Sequence, residues 1–482
     1  MATNGQTSAP LDFTTFLNVI DGKPSSTLGN TRCTVNPWTL ENNPEVPSST
    51  LEDVNRAVEA AQKAAKSWAA TPWKERASAI HKFADAIESQ VEDLAKLVKM
   101  EGGKPFMWAQ HEISLSVQWL REFCKMDPPG SVIEDTVERK VVTRYTPLGV
   151  VVGIMPWNYP ILTSAMKLGP AMLTGNAFIW KPSPETPYSS LKIAELATRF
   201  FPPGIFQALS GDDSLGPWLT QHPGVNMISF TGSTRVGKHI MGVCSKTMKR
   251  LVLELGGNDP AIVCADVDPV SVATNLTFIA FNNSGQICIA VKRVYVHEAI
   301  YDAVLAAIVN CAQSLKLGQD DMTSMGPISN RNQYERLKDL LADVERTGLK
   351  IATGSTKPAS DKTGYFLAPT VIDNPPDNSR IVVEEQFGPI LPVLKWSDEA
   401  DVIRRANATE AGLGASVWSR DTAQAERIAD QLQAGNVWIN SHAEMQPNIP
   451  FAGHKESGFG VEMGVEGLKS YCNVQSVYTK PA

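Results

Sequence analysis

The 482-residue chain is too long for a single hydrophobic core, so two or more domains are expected. Hydrophobic residues make up 43%, charged residues 20%, and the formal net charge is -7; this excludes the basic footprint that nucleic acid or an anionic membrane would require. The seven cysteines (33, 124, 244, 264, 288, 311 and 472) show no paired spacing and no CxxC, Cys/His cluster or HExxH occurs, so neither a metal site nor a disulfide framework is expected.

The opening segment MATNGQTSAPLDFTTFL lacks a basic region followed by an apolar one, and the closing VYTKPA carries no peroxisomal or retention signal. The most apolar stretch, Leu148 to Leu173, is interrupted by Pro156, Asn158, Pro160 and Lys167, which argues against a membrane span. A cytoplasmic protein is expected.

The first 50 residues, rich in Pro, Asn, Thr and Ser, predict an extended surface segment. Val54, Ala57, Val58 and Ala61 recur at helical spacing from Leu51 to Trp68, with Asp53 placed to favour the helix dipole. A second helical stretch is predicted from Trp73 to about Met100. From Val132 to Pro147 apolar and polar residues alternate as in strands exposed on one face, a candidate contact with a neighbouring subunit. Between Gly149 and Gly257 the apolar runs VVVGIM, AFIW, IFQALSG, NMISF and RLVLEL alternate with helical patterns such as Leu191, Ala194, Ala197 and Phe200/Phe201. That rhythm predicts an α/β fold with a doubly wound parallel sheet, whose ligands bind beyond the carboxyl ends of the strands. A second α/β pattern runs from Ala261 to about Ile439, and NVQSVYT reads as a final strand.

Four constellations could carry chemistry. After NMISF, Gly232 and Gly237 flank a turn into a helix, with Lys238 next but His239 where a nucleotide-triphosphate loop needs a hydroxyl. A strand, a glycine turn and a helix N-terminus suit a pyrophosphate, or form a plain turn. Glu254 in LVLELGG is a carboxylate in an apolar strand: a general base raised by burial, or half of a structural ion pair. Cys288 follows a Gly-Gln turn and is either inert core or a nucleophile beside backbone N–H groups. Asn158, bracketed by Pro156 and Pro160, is a turn residue or a preorganised donor.

Together these motifs (PWN, KPS, FTGS, LELGG, GQxC, EExFGP and PFxGxKxSGxG, in order from Pro156 to Gly460) resemble the aldehyde dehydrogenase superfamily. The resemblance implies an NAD-dependent enzyme, with NADP as an alternative, that oxidises an aldehyde to its acid. It implies Cys288 as nucleophile, Glu254 as general base and Asn158 with the Cys288 N–H as oxyanion hole; Lys167 and Glu462 match positions tied to positioning and proton relay. The cofactor would meet Met155, Pro156, Trp157, Lys181, Ser183, Glu185, Gly232, Ser233, Gly237, Leu255, Gly256, Glu385 and Phe387. Tyr159, Ile287, Ile289 and Phe451 would line a pocket suited to an apolar or aromatic aldehyde. The implied layout is a Rossmann-type domain from 1–131 and 148–253, a catalytic domain from 254–445, and an oligomerisation arm from 132–147 and 470–482, in a homodimer or homotetramer.

Two positions depart from the pattern. Pro184 stands three residues after Lys181, where many NAD-preferring members carry a ribose-gripping glutamate, and Ala452 replaces the usual glycine. A coenzyme A-acylating relative would commonly lack Glu254, and a silent scaffold would have no need of Cys288, Glu254 and Asn158 together.

Overall fold

Five apolar runs between Val150 and Glu254 form parallel strands because each is buried on both faces, as helices cover the sheet above and below. The computed structural model describes residues 10–25, 29–318, 323–359 and 362–481; residues 1–9 of the N-terminal segment lie outside the described residues. In space the five strands run Phe206–Ala208, Ala177–Lys181, Val150–Ile154, Met227–Thr231 and Arg250–Glu254. The strand order therefore reverses between Val150–Ile154 and Met227–Thr231, and a crevice opens there at the carboxyl ends. Asn18–Ile20 and Lys23–Ser25 extend one edge, and Gly458–Phe459 returns from late in the chain to cover the other.

A second sheet of seven strands is built from Asp259–Val263 onward and ends at Asn436–Ile439. A three-stranded antiparallel sheet joins Gly130–Asp135, Lys140–Pro147 and Cys472–Thr479. Its surface exposes Val132, Ile133, Val137, Val474 and Tyr478.

The helix at Leu51–Ala70 starts at a capping box: the Thr50 hydroxyl accepts from the Asp53 N–H, and the Thr50 N–H donates to the Asp53 carboxylate. Asp53 thus acts through two specific bonds as well as through the dipole. The stretch predicted as one helix from Trp73 to Met100 is two, Trp73–Glu88 and Val91–Gly102. The break at Ser89–Gln90 lets both pieces rest against Phe106–Phe123, a helix the sequence reading did not anticipate. Among the described residues, no helix is long and apolar enough to cross a membrane.

Candidate active site

A cavity of 570 Å³ opens where the loops after Ile154, Thr231 and Glu254 meet the loop carrying Cys288. Thr231, Gly232, Ser233, Glu254, Leu255 and Gly256 line one side, and Ile287, Cys288, Ile289, Glu385 and Phe387 the other. Pro156, Trp157, Asn158, Tyr159 and Phe451 complete the anticipated part of the wall.

The Cys288 loop is held by unusual backbone geometry. Asn283, Ser284 and Gly285 are all left-handed, with φ of 50°, 56° and 72°. A Cβ on Gly285 would lie 2.2 Å from the Gly388 carbonyl oxygen, so glycine is required there on both counts. Buried Gln286 locks the turn: its Nε2 donates to the Asn283 carbonyl at 2.9 Å and its Oε1 accepts from the Ser329 N–H at 2.9 Å. Asn158 Nδ2 donates to the Gln286 carbonyl at 2.9 Å, which ties the Asn158 amide to the same loop. An amide NH₂ has two N–H groups, so one remains for another acceptor.

Glu254 ends its strand 5% exposed, and its Oε1 has no hydrogen-bond partner. Burial raises its pKa to about 7, against the pull of Lys167 and of the Cys288 thiol and Thr231 hydroxyl beside it. The Cys288 side chain is open to the cavity yet far from the outer surface. That burial, reinforced by the Glu254 carboxylate, raises its thiol well above the ordinary range. Lys167 and Glu462 do not line the cavity; they form a buried ion pair behind Glu254.

Glu385 accepts from the Gly257 N–H at 3.2 Å, and burial raises its pKa to about 7. A Cβ on Gly256 would lie 2.4 Å from Glu385 Oε2, so this glycine makes room for the carboxylate. Phe387 has φ of 51° and is held by Gln333 Nε2, which donates to its carbonyl at 2.8 Å. The Trp157 ring meets Phe387 edge-on with centroids 5.3 Å apart. Ser233 precedes the helix Thr234–Cys244 and makes no side-chain cap, so the first N–H groups of that helix are left to another acceptor.

Met155, Lys181, Ser183, Glu185 and Gly237 lie outside the cavity. Gly237 sits in the helix, where a Cβ would lie 2.5 Å from a methyl of Leu255. Lys181 ends the strand beside Val150–Ile154. Burial and then the nearby Arg32 charge lower its pKa to about 8.

A chain that brings a thiol, a buried carboxylate and an Asn amide to one crevice matches the aldehyde dehydrogenase family model over residues 25–477. The chain belongs to the aldehyde dehydrogenase family. It is 42% identical to an aldehyde dehydrogenase of a Fusarium species, over 97% of this chain and 99% of that one. It is 36% identical to phenylacetaldehyde dehydrogenase of Pseudomonas fluorescens, covering 92% and 91% of the two chains. The structure of a Bacillus cereus aldehyde dehydrogenase in complex with NAD+ superimposes with a TM-score of 0.93 at 36% identity, covering 96% of each chain. The fold is the aldehyde dehydrogenase fold.

The sequence reading missed much of this enzyme's cavity. His111, Leu115 and Trp119 come from Phe106–Phe123, and Leu162 and Met166 from Leu162–Leu173. The signal was the i, i+4, i+8 spacing of His111, Leu115 and Trp119, a second helix face beside the core-facing one.

Proposed function

We propose that the enzyme oxidises an apolar or aromatic aldehyde to its carboxylic acid through a thioester on Cys288. The observation that carries this reading is the meeting of the Cys288 thiol and the buried Glu254 carboxylate, whose Oε1 has no hydrogen-bond partner, in one largely apolar cavity. Leu115, Trp119, Leu162, Met166, Met445 and Phe451 supply that apolar wall, and the phenylacetaldehyde-oxidising relative supports the same substrate class.

The Cys288 thiol first releases its proton to solvent, and Glu254 stays ionised for the later step. The thiolate adds to the carbonyl carbon, and the charge moving onto oxygen is met by the Cys288 N–H and the spare Asn158 N–H. NAD+, with NADP+ as an alternative, supplies the two-electron oxidation that turns this adduct into the thioester. Glu254 then takes a proton from water as the water oxygen attacks the thioester carbon; the C–S bond breaks, the acid departs, and Glu254 passes its proton to the sulfur, which restores the thiol.

The residues fit a dinucleotide: Lys181 would meet the adenine ribose, Ser233 a phosphate and Glu385 the nicotinamide ribose, with Phe387 beside the ring. In this reading 1–131 and 148–253 form the Rossmann-type domain, and 254–445 forms the catalytic domain that carries the nucleophile and adds Glu385 and Phe387 to the cofactor site. The exposed apolar residues of the three-stranded sheet suit an arm that pairs subunits into a dimer or tetramer. A cytoplasmic setting would keep Cys288 reduced.

The test is reduced-cofactor absorbance with a panel of aldehydes and either cofactor. Turnover of apolar aldehydes, lost in Cys288→Ala, is expected. Oxidation that persists in Cys288→Ala would remove the thioester route.

A further inference from the structure

Lys292, the second residue of the strand Val291–His297, is 2% exposed, yet its side chain folds back under the loop it follows. Its Nζ donates to the carbonyls of Ile287, of Cys288 at 3.4 Å and of Ala290 at 3.3 Å. An ammonium has three N–H donors, and all three are aimed at the loop that carries Cys288. Among the described residues no carboxylate lies within ion-pair distance of Lys292. A buried, unpaired ammonium is costly, so its place calls for an explanation beyond packing.

We propose that Lys292 is a positioning residue for the Cys288 chemistry: it fixes the loop carbonyls on one side and supplies the positive charge that favours the Cys288 thiolate. The inference rests on Cys288 being the nucleophile. The trans peptide sets the Ile287 carbonyl and the Cys288 N–H in opposite directions. Binding that carbonyl to Lys292 therefore aims the Cys288 N–H to the other side, as the oxyanion role requires.

The charge argument follows from what else faces the thiol. Glu254 from its strand end and Glu385 from its loop both oppose a thiolate, and so does burial; Lys292 is the cation that favours it. Lys167 and Glu462 act on Glu254 from behind; Lys292 also acts on Glu385, ahead of Arg336, so its charge faces both that carboxylate and the thiol. The phenol of Tyr159 is driven well above its usual range by burial and faces the same thiol, and the His442 ring is turned to the Ile289 carbonyl at 2.9 Å.

The experiment is alkylation of Cys288 in the full-length, cofactor-free enzyme by iodoacetamide across pH, followed by mass spectrometry of the Cys288 peptide. Wild type is compared with Lys292→Gln, which keeps donors and loses charge, with Lys292→Met, which loses both, and with Lys292→Arg, which keeps charge. The expected result is a profile shifted upward by about one pH unit in the neutral variants, or about tenfold slower alkylation at a fixed pH on its rising part. Lys292→Arg stays within about threefold of wild type. A folded neutral variant with the wild-type profile would overturn the proposal, as would a folded Lys292→Arg that behaves like a neutral variant. Loss of turnover in Cys288→Ala is a separate readout, so failure here leaves the thioester route to be judged on its own.

Discussion

Lys167 Nζ lies 2.5 Å from Glu462 Oε1, and both side chains are buried. Ser229 Oγ donates to the same oxygen at 3.0 Å, and the Tyr471 hydroxyl donates to Glu462 Oε2 at 3.1 Å. Burial and Glu462 together drive that phenol well above its usual range, which keeps it a donor. Behind the base, Lys167 lowers the pKa of Glu254 and Glu462 raises it, Lys167 more strongly. Lys167→Met should therefore push the acid limb of the pH–kcat profile upward, and a rise of about one pK unit would cut kcat at pH 7 about fivefold. An unmoved acid limb would detach the pair from the base.

Glu254 itself sets a second pH dependence. A base with a pKa of about 7 is mostly protonated below that pH, so thioester hydrolysis should rise as pH climbs through it. The effect on stability has the opposite sign. Because the folded pKa lies above the ordinary carboxylate value of 4.5, stability declines as pH rises from there to about 7. Glu254→Gln should thus gain in Tm over wild type at pH 8 and gain little at pH 5, as scanning calorimetry would record. A gain that is equal at both pH values would deny the buried charge.

The Asn158 side chain donates to the Gln286 carbonyl at 2.9 Å, and its backbone carbonyl accepts from Asn283 Nδ2 at 3.2 Å, leaving one side-chain N–H for the substrate oxygen. Asn158→Ala should lower kcat by about 10²–10³, the usual loss for one oxyanion donor. Steady-state kinetics on one good substrate suffice, and a fall below about threefold would remove Asn158 from that role.

Gly285→Ala puts a methyl group 2.2 Å from the Gly388 oxygen on a residue at φ of 72°. The positive φ alone costs about 1 kcal/mol, and the contact forces the Cys288 loop to move. The variant should show a lower Tm and a larger loss in activity than in cofactor affinity. Wild-type turnover in it would show that the loop tolerates displacement.

The doubly wound sheet was legible because its strands are short apolar runs, the pattern of strands buried on both faces. RLVLEL became Arg250–Glu254 and NMISF became Met227–Thr231. Glu254, Cys288 and Asn158 were visible as polar groups in apolar or rigid surroundings, though their convergence came from the family motifs. What stayed hidden depends on contacts distant in sequence. Nothing local marks Tyr471 or Ser229 as partners of Glu462, since the three meet only through the fold. Lys292 reads as a charge at the start of a strand, and its reach back to the preceding loop is a matter of tertiary geometry. The break at Ser89 was missed because helical periodicity runs on across it, and only packing against Phe106–Phe123 divides the stretch.

The central claim, a thioester on Cys288 released by Glu254, is tested most directly by mixing Glu254→Gln with phenylacetaldehyde and NAD+. Reduced cofactor and the mass of the Cys288 peptide are then followed together. The account predicts one equivalent of reduced cofactor per site, little further turnover, and an acyl group on Cys288. Full steady-state turnover, or a burst with an unmodified Cys288, would contradict it.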